Sequence, residues 1–247
     1  MRGRAFRTVR RLGYAAAGLA LLAAGPARAV ECRLALLLAL DVSSSVNATE
    51  DALQRRGLAR ALLSPDVERA FFIAPQHVAL AVYEWSGRYN QKILLNWTLI
   101  ESPAALYEAA ATLASSERST TKFPTALGYA LGYGATMFQS APRCLYNTID
   151  VSGDGKNNEG FGPEEAYNAF AFRDIVVNGL AINAAEFEAE TDLIPYYKNE
   201  VLHGPGAFLE IATGYADFER AMKRKLEREL SPPTLGLLPP VEDTRTR

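Results

Sequence analysis

Histidine and cysteine are scarce in this 247-residue chain, with two of each. His77 and His203 lie far apart without metal-ligand spacing, so both read as structural, and a histidine-based triad or zinc centre has little to draw on. The Gly-x-Ser-x-Gly elbow of serine hydrolases is absent, as is the Gly-rich Lys-Ser/Thr loop that cradles nucleotide phosphates. An aspartate-nucleophile phosphatase would need a second acid two residues after Asp41, where Ser43 stands. Past residue 29 there is no long apolar run of membrane-spanning length and no basic cluster, which argues against a spanning segment and against nucleic acid as the main partner.

The first 29 residues differ from the rest. They hold six arginines and no acid, then an almost wholly apolar stretch from Ala15 to Ala24, then Ala27-Arg28-Ala29. A charged start, a short apolar centre and a small-residue exit are the parts of a secretory signal peptide, and the centre falls short of the roughly 18 apolar residues a bilayer span requires. The expected layout is therefore a leader over 1–29, one domain over 30–231, and a loose tail over 232–247 with several prolines and a charged end. Removing the leader leaves 20 basic residues against 28 acidic ones. The mature protein is expected to be secreted or periplasmic, soluble, and without stable membrane insertion, with about eight net negative charges.

An oxidising compartment gives Cys32 and Cys144 the means to form a disulfide. Cys32 lies nine residues before Asp41 and Cys144 ten before Asp154. If the two intervening segments are neighbouring parallel strands, the sulfurs meet at one end; otherwise the pair are separate buried thiols.

Residues 34–40, Leu-Ala-Leu-Leu-Leu-Ala-Leu, form an unbroken apolar run of strand length, as suits a central strand buried on both faces. Asn47 with Glu50 forms a capping-box start for a helix that ends at Ser64-Pro65. Val78 to Trp85 and Ile93 to Trp97 read as a hairpin, and Ser102-Pro103 opens a helix to about Leu113. A helix runs from Thr125 through Leu127, Leu131 and Phe138; a strand follows at Tyr146–Val151, and Pro163-Glu164-Glu165 starts another helix. Ile175–Ile182 reads as a strand despite its Asn178-Gly179, normally a turn dipeptide. A short helix over 192–201, a strand over 207–211 and a charged helix over 215–230 complete the alternation. The fold class is α/β: a doubly wound, mainly parallel sheet with helices on both faces and one antiparallel edge strand.

Three pieces carry the chemistry: Asp41-Val42-Ser43-Ser44-Ser45, Thr125 in Phe123-Pro124-Thr125-Ala126, and Asp154 in Ser152-Gly153-Asp154-Gly155. Each follows or opens an apolar segment, so a parallel sheet brings them to the crevice beyond the strands' carboxyl ends. Two carboxylates and three hydroxyls make an all-oxygen ligand set suited to Mg²⁺ foremost, or Mn²⁺ or Ca²⁺. With only two anionic ligands, a bound dication retains positive character and takes a further anionic oxygen.

These residues resemble the von Willebrand factor type A domain. Asp41, Ser43 and Ser45 fit its Asp-x-Ser-x-Ser signature, Thr125 its threonine with Ala130-Leu131 five and six residues on, and Asp154 its second aspartate after an apolar strand. The run Ile149 to Asn158 is most similar to a group of secreted bacterial members of unknown function, and Asp150 departs from the family's more hydrophobic stretch there. The resemblance implies a metal-ion-dependent adhesion site, with the metal held partly through water and a protein partner's acidic side chain completing its shell. The expected function is an exported, metal-dependent protein-binding module that is not an enzyme. The alternatives are a structural domain whose metal braces three loops, or a metal-assisted hydrolase. N-terminal sequencing of the exported protein is expected to begin at Val30; a product starting at Met1 would contradict the leader.

Overall fold

The computed structural model describes residues 30–183 and 192–231; the leader over 1–29 and the tail over 232–247 lie outside the described residues. Six strands form one sheet in the order β3-β2-β1-β4-β5-β6. They are β1 (Cys32–Asp41), β2 (His77–Ser86), β3 (Asn90–Ile100), β4 (Cys144–Gly153), β5 (Ile175–Ile182) and β6 (Leu209–Ala212). All neighbouring pairs are parallel except β2 with β3, the antiparallel hairpin at one edge.

All ten residues of β1 are buried, which is why its sequence is apolar without alternation. Leu34, Leu36, Leu38 and Leu40 face a layer made by α1 (Ala48–Leu62), α2 (Pro65–Phe71), α3 (Pro103–Ala114) and α7 (Phe218–Leu230). Leu37 and Ala39 face the opposite layer of α4 (Leu127–Met137), α5 (Pro163–Ala169), α6 (Leu193–Tyr196) and the π-helical turn Tyr197–Val201. Among the described residues no helix is long and apolar enough to cross a membrane.

Local chemistry sets the helix starts. Asn47 accepts from the backbone N–H groups of Thr49 and Glu50, while Glu50 accepts from the Asn47 N–H, the expected capping box. Ser102 caps α3 through the N–H of Ala105. α1 ends at Leu62, ahead of Ser64-Pro65, and Pro65, at ease in the first helical position, starts α2, a seven-residue helix with only Val67 and Phe71 buried, too short to show a period. One expectation is corrected: α4 begins at Leu127, not Thr125, leaving Thr125 in the preceding loop with its side chain free for the site.

The Asn178-Gly179 pair lies inside β5 for reasons of contact. Asn178 accepts from the Phe208 N–H at 2.7 Å and donates to Glu229 at 2.6 Å, so its amide works between elements rather than in a turn. Gly179 lies under Tyr197, where a Cβ would come within 2.8 Å of the ring.

β1 and β4 pair directly, from Cys32 opposite Cys144 to Leu40 opposite Ser152. The two cysteines are joined in a disulfide with a Cα separation of 4.4 Å, closing a loop of sequence separation 112. By the loop-entropy relation, a closure of that length stabilises the fold by about 4–5 kcal/mol, less any enthalpic strain. Unfolding the unreduced protein is expected to release no titratable thiol, and Cys32→Ser/Cys144→Ser is expected to unfold several kcal/mol more easily in urea. Two reactive thiols, or an unchanged urea midpoint, would contradict this.

Candidate metal site

The winding reverses between β1 and β4: the chain goes from β1 outward to β2 and β3, then returns to β4 on β1's other side. Crevices at such reversals, beyond the strands' carboxyl ends, are where doubly wound sheets place ligands. Asp41 ends β1, and Asp154 follows the last residue of β4.

The loop after β1 coils at once. The Ser43 N–H donates to Asp41 Oδ1 at 2.7 Å, turning the Ser43 hydroxyl back over the carboxylate. From there the oxygens form a chain: Ser43 Oγ lies 3.0 Å from Ser45 Oγ, Thr125 Oγ1 lies 3.3 Å from Ser43 Oγ, and Ser45 Oγ donates to Asp154 Oδ1 at 2.7 Å. The structure thus brings all five residues read from the sequence into one cluster. Its inner half, Asp41, Ser43 and Thr125, is buried; Ser45 is exposed and Asp154 partly so. One side of the cluster therefore opens to solvent.

Neighbouring groups hold these loops. Arg118 donates to the carbonyls of Val46, Val42 and Ser43 at 2.6, 2.8 and 2.8 Å, gathering the loop after β1 around one guanidinium. Charged donors of this kind contribute roughly 1.5–3 kcal/mol each. Arg118 is held in turn: the Ser119 N–H donates to buried Glu84, which pairs with Arg55 of α1, itself bonded to Asp51 and Ser116. Asn158 Oδ1 accepts from the Thr125 N–H at 2.9 Å, and the Thr125 carbonyl accepts from the Asn158 N–H, tying the Thr125 loop to the loop after Asp154. Behind Asp154, the Tyr215 hydroxyl donates to Oδ2 at 3.1 Å.

Burial, and after it the nearby charge of Asp154, raises the Asp41 carboxyl to about 8, against the pull of the Ser43 hydrogen bonds and Arg118. Its Oδ2 is buried without a hydrogen-bond partner among the described residues. Two acids held together, one buried with an orphaned oxygen, and three uncharged hydroxyl donors fit a hard dication: it would neutralise the acids and take the free lone pairs. Asp41, Ser43, Ser45, Thr125 and Asp154 would hold it. Among the described residues no three His, Cys, Asp or Glu side chains gather, so this arrangement depends on its hydroxyls.

Asp150, the departure from the resembled pattern, does not belong to the cluster. Its carboxylate is in ionic contact with the wholly buried Lys225 of α7 at 3.1 Å, without the angle of a good hydrogen bond, and Lys225 also reaches Glu229 at 3.3 Å. Burial raises the Asp150 carboxyl to about 7 against the attraction of Lys225. His77 opens β2, and His203 stacks on Tyr167 and bridges to Val177, so neither joins the cluster.

Beside the Thr125 loop stands an aromatic rim. The Phe123 carbonyl accepts from the Ser44 N–H at 2.8 Å, and the Pro124 carbonyl accepts from Gly87 at 2.7 Å, setting the β2–β3 turn against the Thr125 loop. Phe123 is 40% exposed and Tyr89 86% exposed, while Arg88 lies over Tyr129 and pairs with Glu159 at 3.3 Å. Arg118 and Tyr215 carry no signal in the sequence because each reaches the cluster from a segment without a motif of its own.

The solved structures most like this one include three that locate it. The proximal thread matrix protein 1 of the mussel byssus, solved with a zinc-occupied MIDAS motif, shares 14% identity over 79% of this chain and 48% of its own, with a TM-score of 0.56. A von Willebrand factor type A protein from Catenulispora acidiphila shares 12% over 81% of this chain and 43% of its own, at 0.57. An aerotolerance-related membrane protein from Bacteroides fragilis shares 17% over 79% of this chain and 99% of its own, at 0.51. This chain thus spans about half the length of the byssus protein or less of the Catenulispora protein, 48% and 43%. Its fold is the von Willebrand factor type A fold. Residues 31–234 match the family described as protein of unknown function (DUF1194), and the chain belongs to that family. Comparison with curated proteins gives no match.

Because Asp41 is buried next to a second acid with no contacting base among the described residues, its neutral isostere removes a repulsion while keeping the Ser43 hydrogen bond. Asp41→Asn in the presence of EDTA is expected to melt no lower than the parent in a thermal scan. A marked drop would show that the negative charge itself supports the fold.

Proposed function

We propose that this protein is an exported, metal-dependent protein-binding module whose cation, Mg²⁺ foremost, is held by Asp41, Ser43, Ser45, Thr125 and Asp154 and completed by an acidic side chain of a partner. The observation that carries this reading is the cluster's composition and its placement: two acids and three hydroxyls in hydrogen-bond contact at the sheet's switch point, buried on one side and open on the other. A cation wholly enclosed by protein would brace loops; one with an open side can bind. The fold shared with the zinc-occupied byssus protein supports the same reading.

With the leader removed, 28 acids outnumber 20 bases, so an acidic partner is repelled unless the cation intervenes. Residues flanking the partner's acid would meet Phe123 and Tyr89, aromatic side chains of the sort that anchor interfaces. Neither His77 nor His203 reaches the cluster, so its hydroxyls have no imidazole base, and no turnover is expected on esters or phosphodiesters.

The test is affinity capture from envelope extract with Mg²⁺ or with EDTA, using the parent and Asp154→Ala. Capture of one partner that both EDTA and Asp154→Ala abolish is the expected result, with Asp154→Ala still folded by circular dichroism because residue 154 lies outside the core clusters. Capture that survives both treatments would remove the metal from recognition.

A further inference from the structure

Among the described residues, two buried polar atoms at the same place lack hydrogen-bond partners: Asp41 Oδ2 and the hydroxyl of Tyr197. Tyr197 opens the π-helical turn and is fully buried, as is Asp41. A side chain built at Gly153 would begin 2.7 Å from the Tyr197 hydroxyl and 2.9 Å from Asp41 Oδ2, so the two oxygens face each other across the bare glycine. Two orphaned polar groups so close are poor candidates for accident, since each alone carries an uncompensated desolvation cost.

We infer that Tyr197 is a positioning residue for the metal site, its O–H directed onto Asp41 Oδ2, directly or through one bridging water, across the space that Gly153 leaves. A carboxylate oxygen has two lone pairs, so Oδ2 can accept from a phenol and still face a cation. Asp154 already has this arrangement: its Oδ2 accepts from Tyr215 at 3.1 Å while its Oδ1 meets Ser45. Each acid of the cluster is then backed by a buried tyrosine from the far part of the chain. Such backing fixes the orientation of a ligand carboxylate before the metal arrives, and its loss typically weakens metal binding by 10–100-fold. The inference rests on the cation reading of the site, which can fail separately.

The experiment is calorimetric titration of the full mature chain with MnCl₂, with melting in EDTA as the second readout. The parent is compared with Tyr197→Phe, Gly153→Ala and the control Tyr83→Phe. Tyr83 is equally buried, but its hydroxyl donates to the Ala130 carbonyl at 2.8 Å, within the α4 packing rather than to a cluster oxygen. Expected are a 10–100-fold weaker Mn²⁺ affinity for Tyr197→Phe with its EDTA melting point unchanged, a similar loss of affinity for Gly153→Ala, and the reverse for Tyr83→Phe: a lower melting point and parental affinity. Parental affinity in Tyr197→Phe overturns the inference and leaves the cation reading standing. A Tyr197→Phe protein that fails to fold in EDTA also overturns it, because the hydroxyl would then serve the fold. A parent that binds no Mn²⁺ overturns both.

Discussion

The direct parallel pairing of β1 with β4 is the constraint on which the rest depends. Its register sets Cys32 against Cys144 at one end and brings Asp41 and the start of the Asp154 loop together at the other. Because the strands are parallel and nearly equal in length, fixing one end fixes both. A slip of one residue would turn every side chain of β1 to the opposite face, exchanging the leucines of one helical layer with those of the other. The disulfide therefore acts as more than an unfolded-state constraint: it ties the two strands that carry the acids at the end remote from the acids.

At the acid end the difficulty is electrostatic. Asp41 is buried beside Asp154, and the neighbouring chemistry answers with neutral donors: a backbone N–H, three hydroxyls and a tyrosine. The nearest strong cation, Arg118, spends its hydrogen bonds on loop carbonyls and so shapes the loop while leaving the carboxylates unpaired. The bases that do form buried pairs serve other acids: Arg55 holds Glu84 and Asp51, and Lys225 holds Asp150 and Glu229. Those interior acids therefore share a base within the chain, whereas among the described residues no base pairs with the carboxylates of Asp41 and Asp154. Two acids without a base beside them are the groups a bound cation would neutralise.

How much of this was legible in the sequence depended on how local each signal is. β1 announced itself by an unbroken apolar run, and α1 and α3 by caps written into adjacent residues. The five cluster residues could be read because each stands at a strand end or loop in a short motif. Helical spacing after Thr125 puts it at a helix start in the sequence, whereas in the structure it precedes α4. The helix α2 was invisible because seven residues with two buried positions carry no period. Asp150 was unplaceable because its partner, Lys225, is 75 positions away in α7. The same distance hid Arg118, Tyr197 and Tyr215, whose roles arise only when the sheet has assembled and side chains from three other segments converge on its edge.

Whether the clustered oxygens form a single cation site is tested most directly by crystals of the mature chain grown with Mn²⁺ and measured for anomalous scattering. One strong peak is expected, bounded by the hydroxyls of Ser43, Ser45 and Thr125 and flanked by Asp41 and Asp154. A well-ordered cluster with no peak, or a peak held by other residues, would contradict it.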